Sequence, residues 1–258
     1  MLNVAASLSS DSIVALQAQT SATRETIEMK TVGLIGGISW QSTVDYYREI
    51  NAETGRRLTP LHSAPMFLAS LNFHDVRQMT LNDDEEGVFQ MFLQAAKSLK
   101  LAGAELIALC ANTAHHRADR LQQELGLPLV HIADATAAAL HRANYQRVGL
   151  LGTRKTMEEA FLKDRLSLMH GIDVLTPDAT TRLELDRRIF NEMVLGVFSE
   201  EARILVTRAC VALAEAGAQG VILGCTELPI LMRGADLGVT LFDTTTLHAA
   251  AIVDAALS

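Results

Sequence analysis

The sequence predicts an α/β protein of two pseudo-symmetric lobes, each a largely parallel sheet flanked by helices, with the active site in the inter-lobe cleft. Three observations carry this. From Thr31 onward short apolar runs alternate with longer helical ones, the pattern of βαβ units. Thr31-Val32-Gly33-Leu34-Ile35-Gly36-Gly37 returns as Arg147-Val148-Gly149-Leu150-Leu151-Gly152-Thr153, an apolar strand ending in a glycine turn both times. Ala102-Gly103-Ala104 followed by Glu105 to Thr113 returns as Ala216-Gly217-Ala218 followed by Gln219 to Glu227. Gly103 follows Gly33 by 70 residues and Gly217 follows Gly149 by 68, so one α/β unit is present twice. With 49% hydrophobic residues in 258, there is material for two cores.

Taken in order, residues 1–29 are rich in Ser, Thr, Ala and Gln without apolar periodicity; they predict a mobile N-terminal arm, with Met29 a candidate functional start. They lack the basic start and apolar core of an export signal. Strands are expected near 31–36, 64–71, 105–110, 129–132, 147–151, 172–175, 220–224 and 239–242. Helices are expected over 40–57, 83–102, 113–125, 155–170, 183–195 and 199–216. The run Asp83-Asp84-Glu85-Glu86 reads as a helix start with acids on its positive end. The first lobe is expected to hold residues 30–138 and 241–258, the second 139–240.

Composition narrows the chemistry. A net charge of −8 gives no basic stripe for phosphates, which argues against nucleic acid. No uncharged apolar run reaches the length of a membrane span, so a membrane is not expected as a partner. Cys110, Cys210 and Cys225 make neither an even disulfide set nor a CxxC pair and are read as reduced thiols in a cytoplasm. No HExxH or comparable spacing is found among the eight histidines, so no metal is expected. His115 and His116 fall in a first helical turn, where one of them is expected toward the cleft. Neither a GxGxxG loop nor a G-x-S-x-G elbow occurs, which disfavours dinucleotide binding and a serine hydrolase.

Ligands in open parallel sheets gather beyond the carboxyl ends of strands, where helix N-termini offer free N–H groups. The four ends here carry Gly36-Gly37-Ile38-Ser39, Cys110-Ala111-Asn112-Thr113, Gly152-Thr153 and Gly224-Cys225-Thr226-Glu227. A cysteine at such an end is expected to have its thiolate stabilised and its pKa lowered. Cys225 fits that description, while Cys210, amid Val, Ala and Leu, reads as core. Asn112, Thr113 and Thr226 are placed to hold a substrate carboxylate, and Glu227 to accept an ammonium or orient Cys225.

Gly36-Gly37-Ile38-Ser39-Trp40-Gln41-Ser42-Thr43, Asn112-Thr113-Ala114-His115, Gly224-Cys225-Thr226-Glu227 and Phe242-Asp243-Thr244 together resemble the cofactor-independent aspartate/glutamate racemase family, its aspartate racemase-like and broad amino-acid racemase branch. The resemblance spans about residues 30–258. It implies an isomerase that needs no pyridoxal phosphate or other cofactor, a small-molecule amino-acid substrate, a C-terminal segment crossing back to the first lobe, and a homodimer. It further implies two thiols that remove and return the α-proton on opposite faces, with Ser39, Thr43 and Thr153 lining the pocket. Arg165 matches the basic residue for a distal carboxylate, with Lys163 the near alternative.

One departure bears on the mechanism. In most members the first thiol directly precedes Asn-Thr; here Ala111 does, and Cys110 lies one residue earlier. The internal repeat pairs Ala111 with Cys225 and Cys110 with Gly224. Neighbouring residues of a strand point to opposite faces, so this offset is expected to turn Cys110 away. Three functions stay open: an acidic amino-acid racemase using Cys225 and Cys110 (or a hydroxyl or water); a one-thiol decarboxylase or lyase of the same fold; and a non-catalytic amino-acid binder.

Overall fold

The computed structural model describes residues 28–258. The arm expected over residues 1–29 falls, but for its last two residues, outside the described part. The first half runs β1 (Val32–Gly36), α1 (Trp40–Arg57), β2 (Met66–Ser70), α2 (Phe73–Leu81), α3 (Glu85–Ala102), β3 (Leu106–Leu109), a 3-10 turn (Thr113–Arg117), α4 (Ala118–Leu125) and α5 (Ile132–Arg142). The second runs β4 (Arg147–Gly152), α6 (Arg154–Glu158), α7 (Ala160–Asp164), a π turn (Arg165–Met169), β5 (Asp173–Leu175) and α8 (Ala179–Asn191), then a 3-10 turn (Met193–Leu195). It closes with α9 (Glu200–Glu215), β6 (Gly220–Gly224), α10 (Glu227–Leu231), β7 (Thr240–Asp243) and α11 (Thr244–Leu257).

Two parallel sheets result, ordered β2-β1-β3 and β5-β4-β6-β7. The repeat read from the sequence is the pair β1–β3 in one sheet and β4–β6 in the other. Its glycines have a packing reason. A Cβ on Gly33 would fall 2.8 Å from Ile107 Cδ1 and 3.3 Å from Leu99 of α3, and one on Gly149 2.8 Å from Leu213 of α9. Both central strands are thus stripped so that a helix can lie close.

Each sheet is covered on both faces, as parallel sheets require. On the first, Ile35, Ile107 and Leu109 pack beneath α3, whereas Val32, Leu34, Leu106 and Ala108 pack against α1 and α11. On the second, Val221 and Leu223 face α8 and α9, and Val148, Leu150 and Ile222 face α5 and the π turn. Fully buried strand residues explain why these strands read as continuous apolar runs.

Several boundaries differ from expectation. Residues 129–132 make only a single bridge, Leu129 to Ile107, because Pro128 and the cap of α5 leave no room for a ladder. The helix expected over 155–170 is broken into α6, α7 and a π turn, with Glu159 extended between the first two. α2, α5 and α11 are additional helices. The expected lobe boundary at residue 138 falls inside the unbroken α5, and β7, from residue 240, pairs with β6 before α11 crosses back onto α1 and α5.

Candidate active site

The carboxyl ends of β1, β3, β4 and β6 open on one cavity of about 550 Å³, a size suited to a small ligand. Ser39, Asn112, Thr113, Thr153, Cys225, Thr226 and Glu227 all line it. Several expected residues do not. Thr43 sits one turn into α1, where its Oγ1 accepts the Gly37 N–H at 2.8 Å and braces the loop instead. That loop is strained, with Ser39 at φ 65.

Arg165 is likewise outside the cavity lining. Its guanidinium clasps Asp134 with two bonds of 2.8 Å and reaches Asp119 at 2.9 Å, so a charge pair within the helical layer claims it. Lys163, on α7, does not line the cavity either. Neither His115 nor His116 faces the cavity. His115 is buried against His131 and His248, with Nδ1–H donating to the Ala111 carbonyl at 3.0 Å, and His116 is half-exposed beside Phe161.

Cys110 is outside the cavity lining as well. Along β3, Leu106, Ala108 and Cys110 point toward α1 and α11, and Ile107, Leu109 and Ala111 point toward α3. Parity alone therefore puts the Ala111 methyl in the cavity and buries Cys110 near Tyr46, with burial pushing its thiol well above the usual range. Cys225 belongs to the face that carries Val221 and Leu223, the counterpart of Ala111. Two copies of one unit thus present a methyl and a thiol.

The Cys225 thiol donates to Glu227 Oε2 at 2.9 Å, and Thr226 Oγ1 donates to the same oxygen at 2.9 Å. Since Thr226 has spent its proton, Ser42 of α1 must donate to Thr226, which ties the first half of the chain to the second. Burial, then the Glu227 carboxylate, push the Cys225 thiol well up. This reverses the lowered pKa expected at a strand end, because burial dominates and the nearest charge is a carboxylate rather than bare helix N–H groups. The thiol is a neutral proton donor beside a base.

Asn112 carries a further polarity. Thr244 Oγ1 gives its proton to the Leu223 carbonyl at 2.9 Å, so it can only accept from Asn112 Nδ2, 3.0 Å away. The Asn112 Oδ1 is consequently turned elsewhere, buried and without a partner. Asn112 offers an acceptor where the sequence suggested a carboxylate holder. Arg117 Nε and Glu159 Oε2, also buried without hydrogen-bond partners, belong to residues that line the same cavity.

Four cations line the cavity, and most are taken. Glu85 holds Lys155 at 2.6 Å and also pairs with Arg117, while Arg154 lies 3.7 Å from Glu158. Arg77 of α2 makes no ion pair among the described residues; its guanidinium lies 4.3 Å from the centre of the Phe190 ring of α8. Sequence reading missed it along with its helix. The signal was Asn72, whose side chain caps α2 by accepting the His74 N–H, followed three residues later by Asp75. Among the described residues no group of three or more His, Cys, Asp or Glu is placed to hold a metal, and no helix is long and apolar enough to cross a membrane.

Comparison with known proteins agrees with the fold. A candidate Asp/Glu racemase from Yersinia pestis is 46% identical, its crystal structure covering 89% of this chain and 100% of its own with a TM-score of 0.83. An aspartate racemase homologue from Pyrococcus horikoshii OT3 is 34% identical with a TM-score of 0.76, covering 89% of this chain and 100% of its own. A glutamate racemase from Limosilactobacillus reuteri is 26% identical over 151 residues, which is 58% of this chain and only 54% of that enzyme. The family model for Asp/Glu/Hydantoin racemase matches residues 35–252. The chain belongs to the Asp/Glu/Hydantoin racemase family.

Proposed function

We propose that the protein is an amino-acid racemase that moves the α-proton of a small acidic amino acid, aspartate or glutamate, with Cys225 and Glu227 serving one face of the α-carbon. The observation that carries this is the 2.9 Å contact from the Cys225 thiol to Glu227 at the wall of a half-open cleft, which a bound substrate would fill. An α-proton is very weakly acidic, so it is moved only where donors are preorganised and water is excluded. A thiol that can hand its proton to Glu227 and take one from carbon, or the reverse, supplies that step. No pyridoxal phosphate or metal enters this reading.

Substrate polarity follows from the walls. The open acceptor of Asn112 suits the ammonium, Arg77 suits the distal carboxylate, and the hydroxyls of Thr113 and Thr153 lie within the same cavity. Ala111 offers no proton, so the second face is served by water or a hydroxyl such as Thr113. That asymmetry favours one second reading, a one-thiol decarboxylase or lyase in which Cys225 only protonates a carbanion. Solvent deuterium incorporation at Cα of aspartate and glutamate, without added cofactor, tests the first; carbon dioxide release from α-carboxylated acids tests the second. Absence of exchange in every amino acid tried refutes the racemase reading.

The reading includes a cytoplasmic homodimer. Trp40, Val44 and Tyr47, one stripe along α1, are 66%, 53% and 60% exposed and form a face a second copy would cover. Sedimentation of the wild type beside Tyr47→Glu checks it.

A further inference from the structure

A second cavity of about 130 Å³ lies behind the catalytic strand end, between α1, the turn after α10 and the start of α11. Thr226 lines both cavities. The walls of the second cavity carry both signs of charge: the carboxylates of Asp45, Glu49 and Asp243, the guanidinium of Arg48, and Arg233, which makes no ion pair among the described residues. Asp243 also caps α11 by accepting the Thr245 N–H at 2.9 Å, which sets the Thr245 side chain beside it. Thr245 is only 5% exposed, yet its Oγ1 has no hydrogen-bond partner. A buried hydroxyl without a partner costs roughly 1–3 kcal/mol and marks a place where a ligand atom or ordered water belongs.

The Asp45 carboxylate is also under-compensated. Arg48 pairs with Asp45 at 2.8 Å, but it is 57% exposed and is shared with Glu49. Burial, reinforced by the charges of Glu49 and Asp243, outweighs Arg48 and Arg233 and raises the Asp45 carboxyl above its ordinary value. A positive group beside Asp45 would relieve this repulsion, while the unpaired Arg233 and the Thr245 hydroxyl leave a place for an anion in the same cavity. The volume decides the size, since a cavity of about 150 Å³ accommodates a ligand of about six heavy atoms.

We infer that this cavity is a second binding site for a small zwitterion, an α-amino acid with little or no side chain, whose ammonium meets Asp45 and whose carboxylate meets Arg233 and Thr245. The site does not depend on the chemistry assigned to the cleft. Its ligand would press on Thr226, the residue between Cys225 and Glu227.

Glycine is the probe. A crystal soaked in glycine should show it between Asp45 and Arg233, and calorimetric titration of the full chain should give a binding event that Thr245→Val and Arg233→Gln each weaken about tenfold. Acetate and methylamine, each carrying one of the two charges, should bind at least tenfold more weakly than glycine. Arg77→Ala, which alters only the cleft, should leave this event unchanged. Glycine found only in the cleft, binding insensitive to Thr245→Val and Arg233→Gln, or acetate binding as well as glycine would each overturn the assignment.

Discussion

Glu227 accepts the Cys225 thiol proton across two residues of chain, at 2.9 Å, so the base and the acid of the cleft come from one turn at the end of β6. Nothing equivalent stands at the end of β3, where Ala111 occupies the matching place. Removing the thiol or its acceptor should therefore be costly. Cys225→Ala should slow Cα deuterium exchange by ~10²–10⁴-fold and Glu227→Gln by a smaller factor in the same range. Cys110→Ala should leave exchange within about threefold of wild type, its cost appearing instead as stability, roughly 1 kcal/mol in urea unfolding. Equal loss in Cys110→Ala and Cys225→Ala would contradict the one-thiol cleft.

Ala111→Cys should supply the missing thiol on the second face. Because Ala111 already lines the cavity, no backbone change is needed. Interconversion of the aspartate or glutamate enantiomers, followed by polarimetry, should rise at least tenfold, as expected when a positioned proton carrier replaces water.

Arg77 and Arg165 should separate cleanly in kinetics and melting. Arg77→Ala should raise KM for acidic amino acids by ~10–100-fold, the worth of a charged hydrogen bond, with kcat little changed. Arg165→Ala should lower the melting temperature by a few degrees through loss of the Asp134 clasp, while KM stays put. A KM effect at Arg165 would return the carboxylate site to the π turn.

Asn112→Leu should distinguish an ammonium site from a carboxylate site. If Oδ1 meets the ammonium, the variant loses aspartate affinity by about tenfold and keeps its affinity for succinate, which lacks the amine. Parallel loss of both ligands would mean that Asn112 holds a carboxylate.

Three buried imidazoles predict an acid-labile fold. Burial holds His115 and His248 down to about 3, and His131 is lowered for the same reason. Their folded values lie below the ordinary value near 6.5, so the unfolded chain binds the extra protons. Stability is complete above pH 6.5 and drains as pH falls toward 3, at up to about 4 kcal/mol per pH unit if all three take up a proton together. Urea midpoints at pH 7, 6 and 5 should fall steadily, and a flat profile would show that these rings are not buried neutral.

Much of this architecture was legible because parallel strands buried on both faces and helices such as α1 announce themselves in apolar runs and periodicity. The repeat of Ala102-Gly103-Ala104 in Ala216-Gly217-Ala218 even exposed the parity that places Ala111 and not Cys110 in the cavity. What escaped depended on partners distant in sequence. Arg165 and Arg77 carry the same charge, and only the fold reveals that Asp134 claims one while Phe190 merely stacks on the other. The thiol's pKa was misjudged because Cys225 is buried and Glu227 turns back on it instead of facing solvent. α11 is so rich in alanine and apolar residues that no polar face marked it.

The parity of β3 also sets how the chain meets thiol reagents. Of its three cysteines, Cys110 and Cys210 border neither cavity, and only Cys225 touches one. An alkylating probe should therefore label the native protein once, slowly because the target is a neutral thiol, and occupancy of the cleft can be followed as protection of that single sulfur.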